Sequence, residues 1–357
     1  MLAMSDGPQI TVTGTAQFDA WASKVIPPVE QVRPGLWSVP VPMPDNPLRY
    51  VVVYLFELAG GGLGMVDTGW NTDEAWEALN AGLATAGGSI NDVQGVLVTH
   101  IHPDHYGLAG RVREASGAWI GLHPADAALV EDRYLDTETL VNRMVDLLST
   151  AGVPEDRRPD LANASMDIRR FVDVAVPDRL VEDADRIDFP GWQLEAVWTP
   201  GHSPGHLCLL EPERRILLGG DHVLPRISPI VTVHSQQFPN PLGDFLASLQ
   251  KVARLDVDEV LPAHEYRFAG LAERAAQLAQ HHAERLDEVA AAVEANPGST
   301  CWEITLAVSW SRPFDEIPVY MQRAANGETL AHLVVLELEG RVLREAGQPA
   351  RFLPATP

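Results

Sequence analysis

The sequence predicts an α/β protein whose strand ends gather on one edge, and three observations predict it. Short β-branched and aromatic runs alternate with stretches of helical spacing over about the first 265 residues. Four loops that follow strand-like runs carry His or Asp flanked by Gly or Pro. From about residue 270 these strand signals give way to alanine-rich helical spacing.

Roughly the first 35 residues are mixed and proline-punctuated, and they read as a lead-in packed on the main domain. Residues 36–41 form a strand, followed by the loop Pro42-Met43-Pro44-Asp45-Asn46-Pro47. The run 50–58 is β-branched and aromatic, hence a strand. Gly60-Gly61-Gly62 turns the chain into a strand at 63–66, which ends at Asp67-Thr68-Gly69-Trp70. Residues 73–84 space Ala, Trp and Leu as a helix. The apolar run 96–98 reads as a buried strand that delivers Thr99-His100-Ile101-His102-Pro103-Asp104-His105-Tyr106-Gly107 as a loop. A helix to about 115 and a strand at 119–122 come next.

Residues 125–180 hold charged helical stretches at 125–134 and 137–150 and a polar break around 154–159, which reads as a helical insertion. Strand character returns at 191–198, ahead of Thr199-Pro200-Gly201-His202-Ser203-Pro204-Gly205-His206. Strands at 207–210 and 215–218 make a hairpin closed by Gly219-Gly220-Asp221-His222. A helix at 241–255 and a short strand at 259–261 lead to Pro262-Ala263-His264-Glu265. Helices at 270–295, 300–310 and 328–338, then a strand start at Gly340-Arg341-Val342, suggest a winged-helix-like appendage. The expected division is 1–269 for the main domain and 270–357 for the C-terminal region.

At 357 residues the chain exceeds a typical domain of roughly 100–200, which fits one large and one smaller unit. A hydrophobic content of 46% with 21% charged residues is that of a folded protein, and no apolar run reaches the ~18 residues of a membrane span. Met1-Leu2-Ala3-Met4-Ser5-Asp6-Gly7-Pro8 lacks the basic start and apolar core of a signal peptide, and Cys208 and Cys301 make no disulfide framework. A cytoplasmic location follows as the expectation. The net charge of −23 argues against a nucleic-acid partner, because phosphate contacts supply most of the affinity of such proteins.

The dense loop at 99–107 has no ordinary packing explanation, since three imidazoles and one carboxylate are metal donors. His202, Asp221 and His264 occupy the other ligand-bearing loops. His-x-His on an extended segment can chelate one ion, while Asp104 and His105, adjacent but aimed elsewhere, can reach a second. Two ions ~3.5–4 Å apart can share a bridging carboxylate and a bridging hydroxide.

His100-x-His102-x-Asp104-His105, then Gly201-His202, Gly220-Asp221 and a last His264 resemble the motif series of the metallo-β-lactamase-fold hydrolases, from residue 36 to about 267. The resemblance implies an αββα four-layer sandwich. It implies His100, His102 and His202 as ligands of one metal, Asp104, His105 and His264 as ligands of the other, and Asp221 as the bridge. Asp67 matches an acidic residue that orients a ligand histidine from behind. A bridging Asp at 221 resembles the glyoxalase II, lactonase, thioesterase and ribonuclease branches more than true β-lactamases. The C-terminal region, from Glu303-Ile304 through Ala331-His332-Leu333 to Gly340-Arg341-Val342, resembles the winged-helix-like tail of the beta-lactamase-like protein 2 group.

The remaining histidines, His123, His206, His222, His234, His281, His282 and His332, read as packed or surface residues, with His222 and His234 the hardest to dismiss. Trp70, Tyr106, His234 and Phe238 flank the motif loops and are candidate substrate contacts. Leu140, Met144 and Leu147 either face substrate from a lid or form an ordinary packed helix face.

The expected activity is hydrolysis of a thioester, ester or lactone by a metal-bridging hydroxide, with Asp104 orienting the nucleophile and accepting its proton. Two zinc ions are the expected cofactors, with iron or manganese compatible, and the partner is a small molecule. A homodimer is compatible with the helical tail. The alternatives are a metal-dependent phosphodiesterase or ribonuclease, and a non-catalytic metal- or nucleic-acid-binding regulator. The helix at 328–338 carries Glu328 and Glu337 but no Lys or Arg, unlike a helix that reads bases.

Overall fold

The computed structural model of the protein describes residues 10–164, 166–236 and 238–355. The N-terminal stretch read above for a leader lies outside the described residues.

Two β-sheets form the centre. The first runs Glu30–Arg33, Leu36–Pro42, Tyr50–Glu57, Leu63–Val66, Val93–Leu97, Trp119–Leu122 and Arg179–Leu180, in chain order. Its early neighbours pair antiparallel and its later ones parallel. The second sheet is ordered Thr11–Val12, Phe268–Ala269, Glu259–Pro262, Ile216–Gly220, Leu207–Glu211 and Glu195–Trp198. A parallel pair needs a crossover. Helices Pro124–Ala127, Val130–Tyr134, Thr137–Thr150 and Arg158–Asn163 fill the crossover from Trp119–Leu122 to Arg179–Leu180, where the insertion was expected.

Alternation along Tyr50–Glu57 sets the layers, because successive side chains of a strand point to opposite faces. Val51, Val53 and Leu55 pack with Ala75, Leu79 and Leu83 of helix Asp73–Thr85. Val52, Tyr54 and Phe56 pack with Leu207, Leu209 and Leu218 of the second sheet. That sheet turns Cys208, Leu217 and Val260 outward onto Phe245 and Leu249 of helix Pro241–Val252. The result is the expected αββα sandwich, with three apolar layers between four structural ones. Each fully buried side chain of this size contributes roughly 1.5–3 kcal/mol.

From Leu271 the chain forms helices Leu271–Ala295, Cys301–Ala307 and Val319–Leu338 and a hairpin of Val342–Glu345 with Arg351–Pro354. Val289, Cys301, Leu336 and Phe352 share one core with Leu217 and Val260 of the second sheet. The last helix therefore packs onto the sandwich and reaches back over its edge. No helix among the described residues is long and apolar enough to cross a membrane.

Several expectations need correcting. The lead-in supplies a strand to each sheet, Thr11–Val12 and Glu30–Arg33, as well as helix Thr15–Ser23. The stretch 125–134 is two short helices, and the polar break contains helix Arg158–Asn163. Pro103–Tyr106 is a helical turn rather than loop, since Pro at a first helical position is preorganised for it. The third C-terminal helix starts at Val319, where Pro318 precedes it, and not at residue 328.

Candidate metal centre

The strand Val93–Leu97 ends two residues before Thr99, and the turn that follows throws its side chains to one edge of the sandwich. His102 precedes the helical turn Pro103–Tyr106, so Asp104 and His105 project from the turn while His100 comes from the extended segment before it. His202 lies in the loop after Glu195–Trp198, Asp221 directly follows Ile216–Gly220, and His264 follows Glu259–Pro262. Gly220 adopts φ +49°, and a Cβ there would stand 2.6 Å from Nε2 of His206, so only glycine fits before Asp221.

The donors fall into three overlapping groups, His100/His102/His202, His100/His105/Asp221 and Asp104/His105/His264, with the ligand atoms of each within 4.8 Å of one another. His100 Nε2 lies 2.9 Å from His102 Nδ1. Asp221 stands between the two sides. Its Oδ2 is 3.4 Å from His202 Nε2, while its Oδ1 is 3.5 Å from His105 Nε2 and 3.3 Å from His264 Nε2. Asp104 Oδ2 is 3.3 Å from His264 Nε2 and 3.6 Å from His105 Nε2.

The outer ring nitrogens are fixed from behind. Nδ1 of His202 donates to the Ile230 carbonyl at 2.8 Å, and Nδ1 of His264 donates to the Tyr50 carbonyl at 3.0 Å. Nδ1 of His105 meets Oδ2 of Asp67 at 2.8 Å. Because a carbonyl or carboxylate only accepts, each ring carries a proton on its outward Nδ1 and turns Nε2 inward. Those three Nε2 atoms and Asp221 Oδ1 are buried without a hydrogen-bond partner among the described residues. Orphaned buried polar atoms are costly, and these four, all metal donors set around Asp221 from its two sides, fit divalent ions.

Charge separates the two sides. Burial, then the neighbouring imidazoles, hold His100 and His102 well below the ordinary histidine range, and burial lowers His202 as well. Burial also pulls on His105 and His264, but the carboxylates outweigh it. Asp67, Asp104 and Asp221 hold His105 well above its usual range, and Asp221 with Asp104 holds His264 up at about 10. Burial raises the Asp221 carboxyl, yet His264 and His105 outweigh it and leave it well below the usual range.

Asp67 sits where a supporting acid was expected, and its backbone is in the left-handed region, φ +63°. Besides His105 it accepts from the Thr99 N–H at 2.7 Å and the Thr99 hydroxyl at 2.9 Å. Nothing in the motif series marks Asp126, which is fully buried. Its Oδ2 accepts from the Ile101 N–H at 2.8 Å and the Ser203 hydroxyl at 2.9 Å, and its Oδ1 accepts from the Gly205 N–H at 2.7 Å. The only sequence signal for it is a further Pro-bearing loop after a strand, His123-Pro124-Ala125-Asp126. His206, read as packed, is buried and accepts from the Asp221 N–H at 3.0 Å.

A cavity of about 340 Å³ opens over His102, Asp104, His202 and Asp221. Trp70 lines it, stacked on Phe171 at 4.2 Å, and so does His234. Tyr106 and Phe238 do not line it. Tyr106 is fully buried with its hydroxyl donating to the Ala175 carbonyl, and Phe238 packs edge-on against Trp198 at 6.4 Å. Leu140, Met144 and Leu147 from the insertion form part of the wall. The sequence reading missed the opposite wall, where Tyr320, Arg323 and Leu330 of helix Val319–Leu338 contribute. Helical periodicity alone does not tell which helix will lie over a distant sheet edge.

A sequence model of the Metallo-beta-lactamase superfamily matches residues 46–264. The probable metallo-hydrolase YqjP of Bacillus subtilis is 26% identical over 300 residues, covering 81% of this chain and 88% of that protein. The acyl-coenzyme A thioesterase MBLAC2 of Gallus gallus is 31% identical over 193 residues, covering 52% of this chain and 61% of that protein. Among solved structures, a metallo-beta-lactamase family protein from Thermus thermophilus superposes with TM-score 0.77 at 32% identity, covering 91% of this chain and 100% of that one. A beta-lactamase domain protein from Burkholderia ambifaria gives TM-score 0.77 at 26% identity, covering 97% of this chain and 98% of that one. The chain belongs to the metallo-beta-lactamase superfamily and is a metal-dependent hydrolase.

Proposed function

We propose that the chain hydrolyses a thioester, ester or lactone with two divalent ions, zinc being the ion that this nitrogen and carboxylate set suits best and iron or manganese the alternatives. The observation that carries this reading is Asp221, whose two oxygens face different sides of the histidine cluster. His100, His102 and His202 would hold one ion and Asp104, His105 and His264 the other, with Asp221 reaching both. Bound there, the ions supply Lewis acidity and lower the pKa of a bound water from 15.7 to about 7.

The chain's own residues do the rest. Asp104 lines the cavity and is the carboxylate placed to orient the attacking water and take its proton. Asp67 keeps His105 Nε2 aimed inward. The apolar walls given by Met144, Leu147 and Leu330 exclude bulk water and suit an acyl chain. The thioesterase relatives support the same acyl class. Against a reader of nucleic acid count the charge of −23 and the burial of Leu330, Ala331, His332 and Leu333, which keeps that helix face from any groove.

The test is a panel of p-nitrophenyl esters, acyl thioesters, lactones and bis-p-nitrophenyl phosphate, assayed with and without chelator. Chelator-sensitive turnover of a thioester, ester or lactone is expected. Turnover of the phosphodiester alone would overturn the proposal.

A further inference from the structure

In a chain with 26 cationic and 49 acidic residues, the charges on the cavity wall run the other way. Among the described residues, every charged one lining it apart from Asp104 and Asp221 is an arginine: Arg133, Arg169 and Arg323. They come from three separate elements, helix Val130–Tyr134, the turn Asp167–Phe171 and helix Val319–Leu338. Chance placement on so acidic a chain would favour carboxylates.

The three differ in what they do. Arg169 is committed to the chain, since its guanidinium donates to the Tyr134 carbonyl. That contact braces the residue whose hydroxyl donates to the Ile101 carbonyl, between two of the histidines. Arg133 reaches the Tyr134 hydroxyl beside the metal donors. It lines the cavity together with His102 and His234. Burial, and then the Arg133 charge, bring Arg323 down to about 10. Both guanidinium-bearing residues line the one cavity that holds His102, Asp104, His202 and Asp221. A guanidinium offers five N–H donors in a planar fork that matches carboxylate and phosphate, so two on one cavity wall can take an incoming anion alongside the contacts they already make.

We propose that the cavity selects anionic substrates, a thioester or ester whose carboxylate or phosphate group lies between Arg133 and Arg323 while its acyl chain lies along Leu140, Met144 and Leu330. The proposal rests on the hydrolase reading above and names the substrate class of the same site. The geometry assigns the two arginines to binding rather than to chemistry, so their effect falls on KM.

The test uses the metal-loaded full chain and substrates matched in acyl group. Hexanoyl thioesters of 3-mercaptopropionate and of N-acetylcysteamine compare a carboxylate with a neutral group. Hexanoyl thioesters of 4′-phosphopantetheine and of pantetheine compare a phosphate with its neutral parent. In at least one pair the anionic member is expected to have a kcat/KM about tenfold higher, through KM, as a charge-assisted hydrogen bond allows. That ratio should shrink at raised salt, fall towards one in Arg133→Met and in Arg323→Met, and be partly kept in Arg133→Lys. Ratios near one in the wild type for both pairs, or a ratio unchanged in both Met variants, would overturn the proposal and leave the hydrolase reading standing. If no thioester is turned over, the hydrolase reading fails for this class. Calorimetry then decides the anion question with the inert thioethers S-hexyl-3-mercaptopropionate and S-hexyl-N-acetylcysteamine. Tighter binding of the acid that is lost in both Met variants supports the arginine doublet. Equal binding of the two thioethers, or a preference that survives both variants, places the acid elsewhere and overturns it.

Discussion

Oδ1 of Asp126 accepts a hydrogen bond from the backbone N–H of Gly205 at 2.7 Å, across 79 residues of sequence. Its other oxygen holds the Ile101 N–H and the Ser203 hydroxyl, so one buried carboxylate ties the His100/His102 loop to the His202 loop. Replacing it with alanine strands two buried N–H donors, at roughly 1–3 kcal/mol each before relaxation. Asp126→Ala is expected to lower the melting temperature by several degrees and to speed metal loss to a chelator. Asp126→Asn should fall between, because an amide keeps the shape but brings a donor against donors. Thermal melts and chelator competition on the loaded protein check this. An alanine variant with unchanged melting and metal retention would show that the two loops are held by other means.

Asp67 acts on one ligand histidine only. It accepts the His105 Nδ1–H hydrogen bond and so turns Nε2 inward, at the cost of a left-handed backbone. Asp67→Asn places an amide there, whose NH₂ can face the ring and favour the wrong tautomer. Partners of this kind typically contribute 10–100-fold to metal affinity or activity. A loss in that range is expected, seen in metal titrations as a weakened second equivalent while the first is little changed. Equal affinities in the variant would reduce Asp67 to a structural prop for Thr99.

The donor set was legible in the sequence because metal chemistry restricts residue types, and four loops after strands carry them. The sandwich was legible through the resemblance that this donor set carries; the β-branched, aromatic run at 50–57 and the helical spacing at 73–84 marked a strand and a helix but not the layers they join. The supports were less so. Asp126 makes its bonds to backbone groups of other loops, and no local spacing encodes that partnership. Arg133 and Arg323 come together only because helix Val319–Leu338 packs back across the sheet edge, a long-range consequence of the shared core around Leu217 and Leu336. Tyr106 and Phe238 show the converse failure. Both adjoin motif loops, yet proximity in sequence did not decide which way the rings turned.

The two sides of the site should load differently with pH. In the metal-free protein His100, His102 and His202 are held neutral by burial, ready to donate. His105 and His264 are held protonated by carboxylates, His264 up at about 10. A cation entering their side must expel those protons. Below about pH 10 the His264 proton competes with the ion, so affinity there should rise as pH increases through neutrality, with proton uptake by the buffer. The other side should be flatter until the imidazoles protonate in acid. The same charges bear on folding. A raised histidine stabilises the metal-free protein fully below its unfolded pKa near 6.5, and that contribution is lost as pH rises through about 10. Calorimetric titration in buffers of different ionisation enthalpy measures the proton count. Equal proton release for both equivalents would contradict the split.

Asp221 is the residue on which the two-ion reading turns. Its Oδ2 faces His202 at 3.4 Å and its Oδ1 faces His264 at 3.3 Å, and both histidines keep Nε2 without a hydrogen-bond partner among the described residues. Asp221→Ala removes the one carboxylate common to both sides and leaves Asp104 and Asp67 to hold the charge of His105 and Asp104 that of His264. The second equivalent should then be lost first, and hydrolysis of every substrate should fall together. Asp221→Asn should retain more metal than alanine because one oxygen can still coordinate, yet it lacks the charge that two cations require between them. Elemental analysis after gel filtration gives the count. Two full equivalents in Asp221→Ala would mean that the ions do not share this carboxylate.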